Sequence, residues 1–157
     1  MPTDSARTST QPSTRTRSAV SGDAASRGLV DTNVVIHLAA LDPAELPEEM
    51  VISAVTLAEL SAGPHHADDR TERARRMSVL QHAEATFDPL PFDAEAARAF
   101  GMVTGAVLAT GRTTRRRIAD LMIASIAYAN GLALYTTNPA DFVGLDDFVT
   151  VRPVRRP

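Results

Sequence analysis

The stretch Gly28-Leu29-Val30-Asp31-Thr32-Asn33-Val34-Val35-Ile36 limits the possible folds more than any other part of the chain. An apolar run meets a carboxylate and two small polar residues, and a second apolar run follows. This pattern predicts a buried strand ending at Asp31 and a helix just beyond it, with Thr32 or Asn33 as the N-cap. In open parallel α/β sheets, ligands sit outside the carboxyl ends of the strands. An acid at that position points into the crevice.

The same alternation recurs along the chain. Val34 to Leu41 reads as a short helix closed by Asp42-Pro43. Met50-Val51-Ile52-Ser53 reads as a second buried strand, and Ser53 caps a helix that runs through Glu59-Leu60 to Gly63-Pro64. Asp68-Asp69 open an Arg-rich helix with Ala74, Met77, Leu80 and Gln81 at helical spacing. Leu90-Pro91-Phe92 is a brief strand or extended link. Asp93 caps a helix whose packing face is Ala97, Phe100, Gly101, Thr104 and Val107-Leu108. A basic loop, Gly111 to Arg117, feeds a helix from Ile118 to Asn130 that Gly131 stops. Leu132 to Thr136 is a third strand, Thr137-Asn138-Pro139 starts a helical turn, and Phe148 to Val151 is a final strand before an Arg-Pro tail expected to fray. Strands alternating with helices predict a three-layer α/β/α sandwich around a mainly parallel sheet. Residues 28–154 form that single domain. Residues 1–27, rich in Ser, Thr, Arg, Ala and Pro, bury too little apolar surface to offset their ordering entropy and read as a disordered tail.

Four acids fall where these elements could bring them together. Asp31 follows the first strand, Glu59 lies in the helix after the second, and Asp141 sits in the turn after the third. Asp120 lies in the first turn of its helix, and Ala124 and Ala127 below it form a small-residue stripe that lets the helix approach the sheet. Carboxylates brought close repel one another unless a cation intervenes. Mg²⁺ fits such a site, as does Mn²⁺, both being hard cations that prefer oxygen ligands. Two such ions can hold the attacking and leaving oxygens of a phosphodiester displacement. The chain has no Cys, and all 16 basic residues are Arg. Thiolate chemistry, a Schiff-base lysine and a P-loop lysine are therefore excluded. The net charge of −3 excludes a globally basic nucleic-acid binder. His37, His65, His66 and His82 lack the spacing of a zinc motif and read as structural or surface residues.

Four blocks in order carry a resemblance: Leu29-Val30-Asp31-Thr32-Asn33, Thr56-Leu57-Ala58-Glu59-Leu60, Ile118 to Ala124, and Thr136 to Phe142. Together they resemble the PIN-domain nucleases, and in particular the VapC toxins of bacterial toxin–antitoxin pairs. The resemblance implies that Asp31, Glu59 and Asp120 are the acids of a metal site, with Thr32 and Asn33 supporting it by hydrogen bonds. Some members of the family place the fourth acid where Asn138 stands and others at the position of Asp141. Asp141 is favoured here, with Asn138 orienting it. The resemblance further implies a cytoplasmic, Mg²⁺-dependent endoribonuclease acting on structured RNA such as transfer or ribosomal RNA. It also implies a homodimer, neutralised by a cognate VapB-type antitoxin lying over the active site.

Arg112, Arg115, Arg116 and Arg117, just before Asp120, either hold RNA phosphates, meet acidic residues of a partner, or form a solvated loop. Arg70, Arg73, Arg75 and Arg76 read as a solvated helix face. Two other functions compete. A non-catalytic PIN-like module binding RNA or protein has no reason to cluster carboxylates. A phosphoaspartyl phosphatase needs a second Asp where Asn33 stands and a Lys that the chain lacks.

Overall fold

The computed structural model describes residues 27–157. The tail expected over 1–27 therefore lies outside the described residues, apart from Arg27. Four parallel strands form one sheet: β1 (Arg27–Val30), β2 (Glu49–Val51), β3 (Ala133–Thr136) and β4 (Val151–Pro153), in the order β2-β1-β3-β4. Five helices cover it: α1 (Thr32–His37), α2 (Ala54–Ala62), α3 (Arg70–Thr86), α4 (Ala94–Ala109) and α5 (Ile118–Ala129). Successive strand side chains point to opposite faces. Leu29, Val51 and Leu134 pack against α4 and α5, while Val30, Ile52 and Tyr135 pack against α1, α2 and α3. This is the three-layer sandwich expected, with β1 and β3 inside and their carboxyl ends opening on the same edge. No helix among the described residues is long and apolar enough to cross a membrane.

Local capping chemistry sets most helix starts. The side chains of Ser53, Asp69 and Asp93 accept the N–H groups of Thr56, Glu72 and Ala96, which satisfies backbone donors that have no partner inside the helix. Gly131 takes φ +65° just after α5, a conformation that costs a residue without a Cβ little. The link at Leu90 pairs beside Ser53, with Ala54 N–H on the Leu90 carbonyl at 2.8 Å.

Several expected boundaries and faces shift. α1 starts at Thr32 and ends at His37, followed by 3-10 turns at Leu38–Ala40 and Pro43–Glu45. α2 runs into a further 3-10 turn, Gly63–His66, rather than stopping at Gly63-Pro64. In α3, Ala74, Met77 and Gln81 are exposed, and the packed side is Arg76, Val79, Leu80 and Ala83. Arg76 belongs to it because its stem lies over Gly63 and its guanidinium bonds the Gly63 carbonyl at 3.0 Å, a charged end with an apolar body. In α4, Phe100, Thr104 and Val107 face inward as expected, but Ala97, Gly101 and Leu108 are exposed and Ala96, Ala99 and Val103 take their place. α4 is small or apolar nearly all round, and α3 is charged over most of its surface with few apolar residues, so docking rather than pattern decides their phase. β4 starts at Val151 because Phe148 and Val149 are held in a turn on the Leu145 carbonyl. The tail does not fray at Val154 and Arg155. Val154 N–H bonds the Thr136 carbonyl at 2.8 Å, and Arg155 N–H bonds Glu45 at 2.7 Å.

Gly28 sits mid-strand between Met50 and Ala133. A Cβ there would lie 2.8 Å from the Tyr135 ring Cδ2 and 3.1 Å from Pro47 Cβ. Overpacking a buried ring costs about 1–3 kcal/mol. Gly28→Ala should lower the free energy of unfolding by that amount in urea titrations; an unchanged midpoint would show that Tyr135 does not need this gap.

Candidate metal centre

Val30 and Tyr135 pair in register, so Asp31 leaves β1 beside Thr136 and donates its N–H to the Tyr135 carbonyl at 2.9 Å. Asp31 is only 3% exposed. Its Oδ1 accepts Thr32 N–H at 2.8 Å, and its Oδ2 accepts Asn33 Nδ2 at 2.7 Å and Thr136 Oγ1 at 2.8 Å. Asp31 is itself the N-cap of α1, in place of Thr32 or Asn33, because it holds the extended backbone, φ −70° and ψ 159°, from which a side chain reaches the first free N–H. A carboxylate offers about four lone-pair sites. The three donors leave one open, on Oδ1. Burial pushes the Asp31 carboxyl up, the bonds from Thr136 and Thr32 pull it down, Glu59 pushes it up, and Asn33 pulls it down.

Asn33 ties the crossing together: its Oδ1 accepts Thr137 N–H at 3.0 Å. Thr136 is the counterpart on β3, since its Oγ1 accepts Asn138 N–H at 3.0 Å while donating to Asp31. The sequence reading had no role for the Thr136 side chain. The only signal for it is the strand pairing, which places residue 136 beside residue 31.

Asp120 comes from the opposite layer. Ala124 and Ala127 are wholly buried, as the small-residue stripe predicts, and they let the start of α5 sit close to the sheet edge. The Asp120 carboxyl is pushed up to about 7, first by burial and then by Asp31, Asp141 and Glu59, with Arg117 opposing. A helix N-terminus normally favours a carboxylate, so burial and the neighbouring charges together outweigh the dipole. Asp120 thus feels each of the other three acids anticipated from the sequence, and Asp31 feels Glu59.

Two of them are held by local donors. Thr32 Oγ1 donates to Glu59 Oε2 at 2.5 Å, and Glu59 is exposed. Asn138 Nδ2 donates to Asp141 Oδ2, and the Arg117 guanidinium lies 3.7 Å from Asp141 Oδ1. Among the described residues, no three acidic or imidazole side chains stand close enough to share one ion in these positions. The donor set is nonetheless all oxygen and net negative, the chemistry a hard divalent cation requires.

The basic loop divides. Arg117 Nη1 donates to the Asp141 carbonyl at 3.0 Å, and Arg112 Nη1 reaches the Ala140 carbonyl at 3.4 Å. Both clamp the 3-10 turn Pro139–Phe142 that carries Asp141. Arg115 and Arg116 are exposed. On α3, Arg75 and Arg76 both pair with Glu72, at 2.8 and 2.7 Å, whereas Arg70 and Arg73 are exposed.

Residues 28–146 match the family model of the PIN domain. The chain is 35% identical over 131 residues to ribonuclease VapC5 of Mycobacterium tuberculosis, covering 82% of this chain and 94% of that protein. It is 31% identical over 121 residues to the tRNA(fMet)-specific endonuclease VapC of Shigella flexneri, covering 73% and 88%. Among solved structures, the VapBC-5 toxin–antitoxin structure from M. tuberculosis superposes with a TM-score of 0.72 at 35% identity, covering 83% of this chain and 99% of that one. A strand-end Asp anchored by three donors sits in a fold that these proteins share. The chain belongs to the PIN-domain family, in its VapC branch.

Proposed function

We propose that this protein is the toxin of a type II toxin–antitoxin pair, a Mg²⁺-dependent endoribonuclease that hydrolyses phosphodiester bonds in structured RNA such as transfer or ribosomal RNA. The observation that carries the reading is the Asp120 carboxyl, raised to about 7 by burial and by Asp31, Asp141 and Glu59. Such crowding is costly to the protein alone and is relieved by a cation. Relatives named as a ribonuclease and as a tRNA(fMet)-specific endonuclease support the RNA substrate.

Asp31 and Asp120 would ligate the ion directly, Asp31 through the open lone pair on Oδ1. Glu59 would complete the site on turning from Thr32, and Asp141 would contribute from the position in which Asn138 and Arg117 hold it. A divalent ion bound there would supply the Lewis acidity that activates water and offsets charge on the phosphate. The other work falls to the chain itself. Thr136, Asn33 and the Thr32 N–H fix the Asp31 carboxylate, Asn138 and Arg117 orient Asp141, and Arg115 and Arg116 offer guanidinium groups to RNA phosphates beside the acids.

The partners expected of such a toxin have surfaces to use. A groove of about 280 Å³ is lined by Ile36, Leu60 and Val79 and rimmed by Glu59 and Arg75. It lies between α1, α2 and α3 beside Glu59 and suits an apolar, Arg-containing antitoxin segment of the VapB type. Met102, Leu108 and Tyr128, exposed on α4 and α5, suit the homodimer.

Asp31→Asn and Asp120→Asn should each abolish RNA cleavage and growth inhibition, a loss of at least about 100-fold in rate, while circular dichroism stays native. Full activity in either folded variant sinks the assignment.

The raised Asp120 value predicts two pH effects. The cation must displace a proton below pH about 7, so Mn²⁺ affinity in calorimetry should fall by up to about tenfold per pH unit there, with proton release detectable between buffers of different ionisation heat. An acid raised in the folded state binds protons there more tightly than in the unfolded chain. It therefore costs stability progressively as pH rises from about 4 to about 7. In EDTA, Asp120→Asn should be more stable than the parent by about 1–2 kcal/mol at pH 8, after allowance for solvent screening, with the gain gone below pH about 4. A variant less stable at pH 8 contradicts the crowding.

A further inference from the structure

The hydroxyl of Thr32 has one proton and two acceptors within reach. Glu59 Oε2 lies at 2.5 Å and Thr56 Oγ1 at 3.3 Å. Thr56 is wholly buried, and so is Ser53, whose Oγ accepts Thr56 N–H at 2.9 Å and lies 3.0 Å from Thr56 Oγ1. Either hydroxyl of the Ser53–Thr56 pair can donate to the other; with Thr56 donating to Ser53, a Thr56 lone pair faces Thr32. A carboxylate is the stronger acceptor and makes the shorter bond, so the Thr32 proton stays on Glu59 while that carboxylate faces it.

We propose that Thr32 is a latch on Glu59: it holds this carboxylate apart from Asp31 and Asp120, and Thr56 takes over the Thr32 proton when Glu59 turns inward to a divalent cation. The inference rests on the metal-site reading above and gives it a regulated member. Two observations carry it besides the distances. Glu59 is exposed on α2, so nothing in the packing forces it toward Thr32, yet it makes this short bond. A Val would fill the core at position 56 as well, and a buried hydroxyl is costly unless paired. Ser53 needs only the Thr56 N–H to cap α2. The Thr56 hydroxyl thus gives Thr32 a second partner, so that releasing Glu59 strands no donor. Thr32 and Thr56 are positioning residues in this account; neither is asked to touch the reacting phosphate.

The two residues should act in opposite directions, which a merely structural role would not produce. Mn²⁺ titration calorimetry at pH 8 on the full chain compares the parent with Thr32→Val, Thr32→Ser and Thr56→Val, each checked for native circular dichroism. Thr32→Val, which removes the latch, should bind Mn²⁺ about tenfold tighter. Thr32→Ser should match the parent within about twofold, and Thr56→Val, which leaves the latch without its second acceptor, should bind several-fold weaker. Weaker or unchanged binding in Thr32→Val, or shifts of the same sign in both valine variants, overturns the latch. If Thr56→Val does not fold, the Thr32 pair decides alone. A parent that binds no Mn²⁺ overturns the metal site itself, and with it the latch, and so separates the two failures.

Discussion

A buried carboxylate at the end of the central strand sets the terms for everything around it. Asp31 is almost without solvent, and an ionised acid in that position persists only if donors replace the lost water. Three do: the first free N–H of α1, the amide of Asn33, and the hydroxyl of Thr136. They come from both sides of the β1–β3 pairing, so the carboxylate also staples the start of α1 to the end of β3. Capping and ligation do not compete for this residue. The cap takes one lone pair of Oδ1 and leaves the other open.

The second constraint is repulsion. α5 brings Asp120 up to the sheet edge on a face of Ala124 and Ala127, and there it meets the fields of Asp31, Asp141 and Glu59. The fold distributes the strain unevenly. Asp31 is held by neutral donors, Asp141 by Asn138 and the Arg117 clamp, and Glu59 by Thr32, while the Asp120 carboxyl, without such a donor among the described residues, is pushed up to about 7. An acid site of this kind stores electrostatic cost that a divalent ion, or the cation of a partner side chain, relieves.

Much of the fold was legible because its determinants are local. Ser53, Asp69 and Asp93 announce their helices through their own side chains, Gly131 ends α5 by its backbone freedom, and apolar runs followed by a polar break mark three strands. The four acids were legible for a related reason, since each stands at a strand end or in the first turns of a helix, where a parallel sheet gathers residues. What escaped depends on pairing across long separations. Thr136 matters only because residue 136 lies beside residue 31. For Arg112 and Arg117 the sequence leaves phosphate contact, partner contact and a solvated loop open, and none of these includes the carbonyls more than 20 residues away that both reach. The phases of α3 and α4 escaped because α4 is small or apolar nearly all round and α3 has too few apolar residues among its charges for one stripe to dominate. The cap of α1 was misassigned by one residue, since the acid expected to be free for a metal serves the helix as well.

The proposed metal centre requires Asp31 and Asp120 to share a divalent ion. The most direct test is an anomalous difference map from crystals of the protein grown with Mn²⁺. The account predicts a peak about 2.2 Å from Asp31 Oδ1 and from an Asp120 oxygen, with Glu59 turned from Thr32 toward it. A map with no peak between these two acids, at Mn²⁺ concentrations that saturate RNA cleavage, would contradict it.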